Sequence, residues 1–204
     1  MTPFTSHAGI VAALPRVNVD TDQIIPKQFL KRVERTGFGP ALFHDWRYRA
    51  DGSPDPAFAL NHPRAAGASI LLAGANFGCG SSREHASWAL GEYGIRAIIA
   101  ESFADIFFDN CCQNGILAVR LTVGEMAELF RRAAAGEGPY WLRADLLACE
   151  VWDNEGFRAG FTMDAYRRDS LLRGLDEIGH TLQSEPAIAA FERRRVARQV
   201  RLAQ

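Results

Sequence analysis

The residues best suited to chemistry lie in one glycine-rich stretch, residues 74–85, with the sequence GANFGCGSSREH. Apolar runs on either side place it between a buried strand and a helix, where backbone amides and the positive helix N-terminus favour anions. Glycines let this backbone approach a ligand closely, and the hydroxyls of Ser81 and Ser82 and the guanidinium of Arg83 follow at once. Arg83 can grip a carboxylate or phosphate through two parallel hydrogen bonds. The stretch therefore predicts an anion site. The simpler alternative is that a serine caps the helix and Arg83 lies on its surface.

Three common motifs do not fit this stretch. A P-loop needs Gly-Lys followed by Ser or Thr, and residues 74–85 contain no lysine. The dinucleotide-binding pattern Gly-x-Gly-x-x-Gly fails because residues 81–83, which follow Gly78-Cys79-Gly80, are Ser-Ser-Arg. The hydrolase pattern Gly-x-Ser-x-Gly fails because the glycines precede the serines. Nucleotide binding and serine–histidine hydrolysis are therefore disfavoured.

Alternating strands and helices are predicted to position the stretch. Apolar runs predict strands at residues 10–14, 69–73, 97–100 and 116–121. Helices are predicted at residues 82–93, 103–114 and 122 to about 135. Gly94 and Gly115 are placed to end the first two helices, and Thr122 with Glu125 has the spacing of a capping box. This order predicts parallel β-α-β units with right-handed crossovers. Beyond them, shorter elements are predicted at residues 140–142 and 146–152, then helices at about 164–175 and 185–200.

The composition is typical of a globular protein and excludes several classes. The 204 residues include 23 basic and 24 acidic side chains, a net charge of −1, and are 48% hydrophobic. These values exclude a mainly disordered chain and a basic nucleic-acid-binding surface spread over the whole molecule. No stretch approaches the roughly 20 apolar residues that a membrane span needs. We expect a single domain over residues 1–204, with a core at about 8–152 and a C-terminal helical extension at about 162–204.

The four cysteines, at positions 79, 111, 112 and 149, follow neither a disulfide framework nor a Cys-x-x-Cys metal pattern. Reduced thiols in a cytosol are the simplest interpretation. The first 14 residues lack the basic flank of a secretory signal. Together these features predict a cytoplasmic protein whose cysteines are structural.

Three motifs in order along the chain resemble the aconitase superfamily. Residues 76–85 are similar to the signature of its swivelling domain, and residues 20–26, DTDQIIP, resemble the second signature of that domain. Residues 35–39, RTGFG, and 42–47, LFHDWR, resemble the bacterial small subunits of 3-isopropylmalate dehydratase. The resemblance covers nearly the whole chain. It implies an α/β fold, a single swivelling β/β/α domain of the aconitase domain-4 type with parallel β-α-β units at its centre.

The resemblance implies a hydro-lyase reaction in leucine biosynthesis. The enzyme removes water from 2-isopropylmalate and adds it back in the other orientation, which gives 3-isopropylmalate. In the superfamily a [4Fe-4S] cluster is the Lewis acid for the leaving hydroxyl and a carboxylate, and a serine of the Gly-Ser-Ser-Arg motif removes the proton. For this sequence the resemblance implies that Ser81 is the base and that Arg83 binds a substrate carboxylate. Ser82 would support Ser81 and help to bind the substrate. Amides at a helix N-terminus beside a guanidinium would favour the alkoxide.

The resemblance also implies a partner. A cubane cluster needs several converging cysteine thiolates, and the four cysteines here are dispersed or adjacent within one predicted helix. The resemblance implies that the cluster belongs to a separate large subunit, and no metal or other cofactor is expected in this chain. The expected partners are that subunit and a small dicarboxylate substrate. Binding to nucleic acid or to a membrane is not expected.

Further residues are expected to support the site. Thr21 and Asp22 would fix a loop that faces it, and Gly80 would belong to its turn. His85 lies four residues after Ser81 and could share one face of the helix, where a structural or supporting role is expected.

The loop from Lys31 to Gly39 is expected to contact the substrate. The family suggests that one basic group here binds it, and Arg35 is slightly favoured over Arg32 and Lys31. Leu30, Val33 and Phe38 are the apolar residues expected to contact an isopropyl group, with glycines that let the loop close. The alternative for Phe38 is that it only packs the loop against its own domain.

Two other functions stay open. The nearest is the same chemistry on homoaconitate, citramalate or a methyl-substituted malate, although the Arg-Thr-Gly-Phe-Gly loop favours isopropylmalate. A different class is a non-catalytic anion-binding module that kept the loop. The intact Ser81, Ser82 and Arg83 argue against that class.

Overall fold

The computed structural model describes residues 1–31 and 34–202, and for residues 196–202 it describes the backbone alone. The strands are β1 (Ser6–Leu14), β2 (Ile70–Ala73), β3 (Ala97–Ala100), β4 (Leu117–Arg120), β5 (Trp141–Asp145), β6 (Glu150–Trp152) and β7 (Arg158–Gly160). The helices are α1 (Thr21–Ile24), α2 (His44–Arg47), α3 (Glu84–Tyr93), α4 (Asp105–Gln113), α5 (Val123–Ala134), α6 (Ala165–Arg173), α7 (Glu177–Leu182) and α8 (Glu185–Leu202).

One seven-stranded sheet has the order β4-β3-β2-β1-β5-β6-β7. The strands β1 to β4 are parallel, whereas β5, β6 and β7 continue the sheet as antiparallel neighbours. Every residue of β2 and β3 is buried, as expected for parallel strands whose two faces are both covered. The predicted parallel β-α-β units and the α/β fold class are confirmed.

Local signals at the ends of the central helices were also correct. Gly94 ends α3 in a left-handed conformation with φ +113°, and Gly115 follows α4 with φ +77°. Thr122 caps α5, and Glu125 completes the predicted capping box. The strand predicted at residues 97–100 has those bounds.

Several sequence predictions of strands and helices were wrong or incomplete. Strand β1 begins at Ser6 rather than residue 10, because residues 6–10 pair with β5. Residues 146–149 form a turn, with Cys149 at φ +55°, so Cys149 is not in a strand. Strand β7 and helix α7 were not predicted, because each is short and has weak periodicity.

Buried side chains continue beyond the predicted core boundary at residue 152. Phe157, Phe161 and Leu171 belong to the same apolar cluster as β2 and β3. The division into a core and an extension stays a prediction. The helices around the sheet cover it, with α5 packed on β1 and β2, and α4 packed on β4, α3 and α6.

Candidate active site

The glycine-rich stretch joins β2 to α3 at the carboxyl end of the parallel strands, where open α/β sheets usually bind ligands. Gly78 adopts φ +76°, and a Cβ atom there would overlap the Phe107 ring. Its N–H donates to the Val19 carbonyl at 2.7 Å. Only glycine satisfies both the positive φ and this close approach, so the loop follows a path that a side chain would block.

Ser81 and Ser82 are exposed at the end of this loop, before the helix. Gly80, at φ +90°, precedes them. Helix α3 begins at Glu84 rather than at residue 82, and its N-cap residue is Arg83, in an extended conformation. The alternative that a serine merely caps the helix is therefore wrong. The Arg83 N–H instead donates to the Ser81 carbonyl at 2.8 Å and closes a tight turn.

Thr21 holds the backbone of Ser81 from the neighbouring segment. Helix α1 starts at a capping box in which the Asp20 carboxylate accepts the Gln23 N–H at 2.8 Å. This places Thr21, 1% exposed, against the loop. Its N–H donates to the Cys79 carbonyl at 2.9 Å, and its hydroxyl donates to the Ser81 carbonyl at 3.0 Å. These contacts support the predicted role of Thr21.

Asp22 forms an ion pair with Arg83 through the Nη1 atom of the guanidinium. It also lies 3.3 Å from the ammonium of Lys27. The Arg83 side chain is 20% exposed, so it is fixed yet open to solvent. Because a guanidinium carries five donors, this pair leaves Arg83 with donors for a substrate carboxylate. Asp22 thus orients the residue predicted to bind the anion.

The thiol next to the serines stays neutral. Burial raises the pKa of Cys79 above its ordinary value, and the nearby Asp20 carboxylate raises it further. Deprotonation at neutral pH is therefore disfavoured, and Cys79 contributes no negative charge beside Ser81.

His85 packs against aromatic side chains. The argument that it shares a helix face with Ser81 is wrong, because Ser81 lies outside α3. The His85 ring instead meets Phe38 edge-on at 5.3 Å and lies 4.7 Å from Trp88. It therefore helps to pack the loop that contains Phe38 against α3.

The loop that contains Phe38 is only partly described. Arg32 and Val33 lie outside the described residues. Leu30 is half-buried against the core, while Arg35 is exposed with its guanidinium 5.4 Å from the centre of the Trp88 ring. Phe38 is fully buried. The structure therefore favours the alternative in which Phe38 packs the loop against its own domain.

Sequence reasoning missed Glu92 in the last turn of α3. Its carboxylate accepts hydrogen bonds from the N–H groups of Gly37, Phe38 and Gly39. More than 50 residues separate these partners along the chain, and a surface glutamate in a helix is an ordinary residue. Its sequence neighbours carry no signal that could have identified it.

The cysteines do not fit an iron–sulfur cluster. Cys111 and Cys112 are buried in α4, where burial raises the pKa of Cys111 well above its usual value. Burial is also the main cause that raises the pKa of Cys112 to about 12. Within residues 1–31 and 34–202, no three His, Cys, Asp or Glu side chains converge to hold a metal ion. A cluster needs several converging thiolates, and these side chains do not supply them.

The chain matches known families over most of its length. Residues 1–124 match the model of the aconitase C-terminal domain, and residues 177–199 match that of the C-terminal domain of the 3-isopropylmalate dehydratase small subunit. The 3-isopropylmalate dehydratase small subunit of Anoxybacillus flavithermus is 55% identical over 96% of this chain and 100% of its own length. That of Brevibacillus brevis is 57% identical with the same coverage.

A solved structure agrees with the fold. The crystal structure of 3-isopropylmalate dehydratase from Methanocaldococcus jannaschii has a TM-score of 0.63 to this chain, at 23% identity. The match covers 92% of this chain and 99% of that one. Among the residues described, none of the helices combines the length and the apolar character needed to cross a membrane.

The parallel sheet and the glycine-rich loop, with the match over residues 1–124, define the class: the chain belongs to the aconitase C-terminal domain family, also called the swivelling domain. Within that family, identity of 55–57% over nearly the full length places it among the small subunits of 3-isopropylmalate dehydratase (EC 4.2.1.33), a lyase of leucine biosynthesis. A small subunit implies a large-subunit partner.

Proposed function

We propose that this chain supplies the proton-transfer half of an active site that it forms with a large subunit. The complex interconverts 2-isopropylmalate and 3-isopropylmalate by dehydration and rehydration. One observation carries the proposal. Ser81 is exposed at the carboxyl end of the sheet, its backbone carbonyl is held by Thr21, and the oriented guanidinium of Arg83 follows two residues later.

In the proposed reaction the Ser81 oxygen takes a proton from the carbon beside a substrate carboxylate. A serine hydroxyl is a weak base, so the surroundings must favour the alkoxide. The N-terminus of α3 begins three residues after Ser81, and its partial positive charge acts in that direction. Arg83 adds a full positive charge and binds a carboxylate, which orients the carbon–hydrogen bond toward Ser81. Ser82, also exposed, supports the substrate.

The remaining chemistry belongs to the proposed partner. A [4Fe-4S] cluster held by the large subunit would supply Lewis-acid chemistry at the leaving hydroxyl. The cysteines of this chain do not fit a cluster, which supports its placement in the partner. We propose a complex of one large and one small subunit or a multiple of it. All four cysteines are free thiols, which supports a cytoplasmic location.

The loop before Gly39 is proposed to contribute to substrate choice. Arg35 is proposed to reach a substrate carboxylate, since it is exposed beside α3, and Leu30 to contact the isopropyl group. Arg32 stays the alternative basic residue for binding the substrate, and Val33 stays an apolar residue proposed to contact the isopropyl group. The alternative substrates are homoaconitate, citramalate and methyl-substituted malates, and their kcat/KM values should be compared with that for isopropylmalate.

Reconstitution of the complex tests the proposal. The wild-type chain and Ser81→Ala are each combined anaerobically with the large subunit, and turnover is followed by the absorbance of the unsaturated intermediate. Ser81→Ala should lower kcat by about 100- to 10,000-fold, the usual contribution of a general base. Ser6→Ala is the matched control, because Ser6 is exposed at the start of β1, and it should keep wild-type activity.

Two outcomes would reject the proposal. In the first, Ser81→Ala assembles normally and retains more than about a tenth of the wild-type kcat, which means that another group is the base. In the second, the small subunit turns over isopropylmalate without its partner, which contradicts the shared site. Assembly is verified for each variant by size-exclusion chromatography.

A further inference from the structure

The Glu92 carboxylate binds three consecutive backbone N–H groups of the loop that precedes α2. The Phe38 and Gly39 N–H groups donate to Oε2 at 2.5 and 2.9 Å, and the Gly37 N–H donates to Oε1 at 3.1 Å. Hydrogen bonds to an ionised acceptor are shorter and stronger than neutral ones. Consecutive amides that converge on one anion form a concave backbone site, which here is filled by a side chain of the same protein.

Glu92 lies at a position in α3 that is electrostatically unfavourable for a carboxylate. It is the second-last residue of α3, where the helix dipole favours a cation rather than a carboxylate. A residue that breaks a local rule in this way is expected to have a compensating contact elsewhere. The three loop amides provide that contact.

The glycines of the Arg-Thr-Gly-Phe-Gly segment fit this arrangement. Gly37 adopts φ +89°, which a side chain disfavours. A Cβ atom on Gly39 would lie 3.0 Å from the backbone carbon of Glu92, so the loop backbone rests directly on the helix. The segment is therefore shaped to dock on the end of α3.

Helix α3 connects this contact to the proposed catalytic residues. Arg83 is its N-cap residue, and Glu92 lies in its last turn. Between them, Trp88 lies 5.4 Å from the Arg35 guanidinium and 5.8 Å from Phe38. Ten helical residues span roughly 15 Å and form a rigid element. The helix thus sets the distance between Ser81 and Arg83 at one end and the bound loop at the other.

We propose that Glu92 is a positioning residue for the substrate. It holds residues 37–39 on α3, so that Arg35 lies where it meets a substrate bound at Arg83. This inference rests on the proposed function, because it needs Ser81 and Arg83 to mark the substrate site. Glu92 itself does not contact the substrate.

Glu92→Gln tests this role in the reconstituted complex. The amide keeps the size of the side chain but loses the charge, and its NH₂ group meets backbone donors. KM for 2-isopropylmalate should rise about tenfold, because one or two charge-assisted hydrogen bonds are weakened. The kcat should stay within about twofold of the wild-type value. Glu92→Asp keeps the charge on a shorter side chain and should give a smaller rise. Glu137→Gln is the control, since Glu137 is exposed beyond α5, and it should leave KM unchanged.

Amide hydrogen exchange of the isolated chain gives a second measurement. Glu92→Gln should accelerate exchange at residues 37–39 while exchange in β2 and β3 stays as in the wild type. An unchanged KM, a fall in kcat alone, or the same KM change in Glu137→Gln would overturn the proposal. Ser81→Ala is measured in parallel. If Ser81→Ala stays active, the proposed function fails; if it is inactive and Glu92→Gln has a normal KM, only the role of Glu92 fails.

Discussion

Thr21→Val removes one hydroxyl from a fully buried side chain and keeps a similar shape. The hydroxyl donates to the Ser81 carbonyl at 3.0 Å, whereas the Thr21 N–H bond to the Cys79 carbonyl is unaffected. The substitution therefore breaks one of the contacts that place Ser81. Folding and catalysis should respond to different extents.

The effect on stability is expected to be small. An intramolecular hydrogen bond contributes about 0.5–1.5 kcal/mol net, and the Ser81 carbonyl still accepts the Arg83 N–H at 2.8 Å. The carbonyl is thus not left unsatisfied. A loss of about 1 kcal/mol corresponds to a fall in Tm of about 2–4 °C for a domain of this size.

The effect on catalysis is expected to be larger. A displacement of about 1 Å in a reacting group can cost about 100-fold in rate. The turn at Ser81 keeps its bond to Arg83, so we expect only part of that loss. The kcat of the reconstituted complex should fall about 10-fold or more, while KM, which depends on Arg83, should change little.

Thermal unfolding of the small subunit and steady-state kinetics of the complex measure the two effects. Thr181→Val is the matched control, because the Thr181 hydroxyl donates to the Glu177 carbonyl at the same 3.0 Å, in α7. It should keep the wild-type kcat. If Thr21→Val lowers Tm but keeps kcat within about twofold, the position of Ser81 does not depend on Thr21, and the supporting role of Thr21 is rejected.

Asp153 and Phe38 give two further expected outcomes. Burial alone would raise the pKa of Asp153, but hydrogen bonds led by the Tyr140 hydroxyl outweigh it and hold the pKa below its ordinary value. Because the pKa is lower in the folded chain than the value of about 3.9 in the unfolded chain, the Asp153 carboxylate stabilises the fold above that pH. This stabilisation is lost as the pH falls through the folded pKa. In urea unfolding, Asp153→Asn should therefore be about 1–3 kcal/mol less stable than the wild type at pH 7. Below pH ~4 the free energy of unfolding of the variant should fall less steeply with pH than that of the wild type, and equal slopes for the two proteins would contradict this. Phe38→Ala should lower stability by about 3–5 kcal/mol and reduce kcat/KM for isopropylmalate and citramalate alike. A loss confined to isopropylmalate would show that Phe38 contacts the isopropyl group.

Short-range patterns were enough to predict the central sheet and its helices. Strand β3, the C-terminal end of α3 and the start of α5 follow from an apolar run, Gly94 and the Thr122–Glu125 capping box. Each of these signals depends on residues a few positions apart, so the chemistry of neighbours in the chain decides them. The motifs at residues 20–26, 35–47 and 76–85 likewise indicate the family, and each is a short run of neighbouring residues.

The support around Ser81 depends on residues that are distant in the sequence. Thr21 contacts a carbonyl 60 residues away, and Glu92 binds amides more than 50 residues before it. The resemblance of residues 20–26 predicted a supporting role for Thr21, whereas a glutamate near the end of a helix is so common that Glu92 carried no such signal. Only the packing of α1 and the loop against α3 brings the partners together.

Phe38 and His85 illustrate the same limit. A phenylalanine between glycines suits either a substrate contact or an apolar core, and its sequence neighbours do not discriminate between them. In the folded chain the Phe38 ring is buried against His85 and Trp88, and the Phe38 N–H donates to the Glu92 carboxylate. The sequence thus determined which central strands and helices this chain contains and where its glycine-rich motif lies. Burial and long-range hydrogen bonds, which arise only when distant segments pack, decided which side chains stay exposed beside Arg83 and which hold the loop on α3.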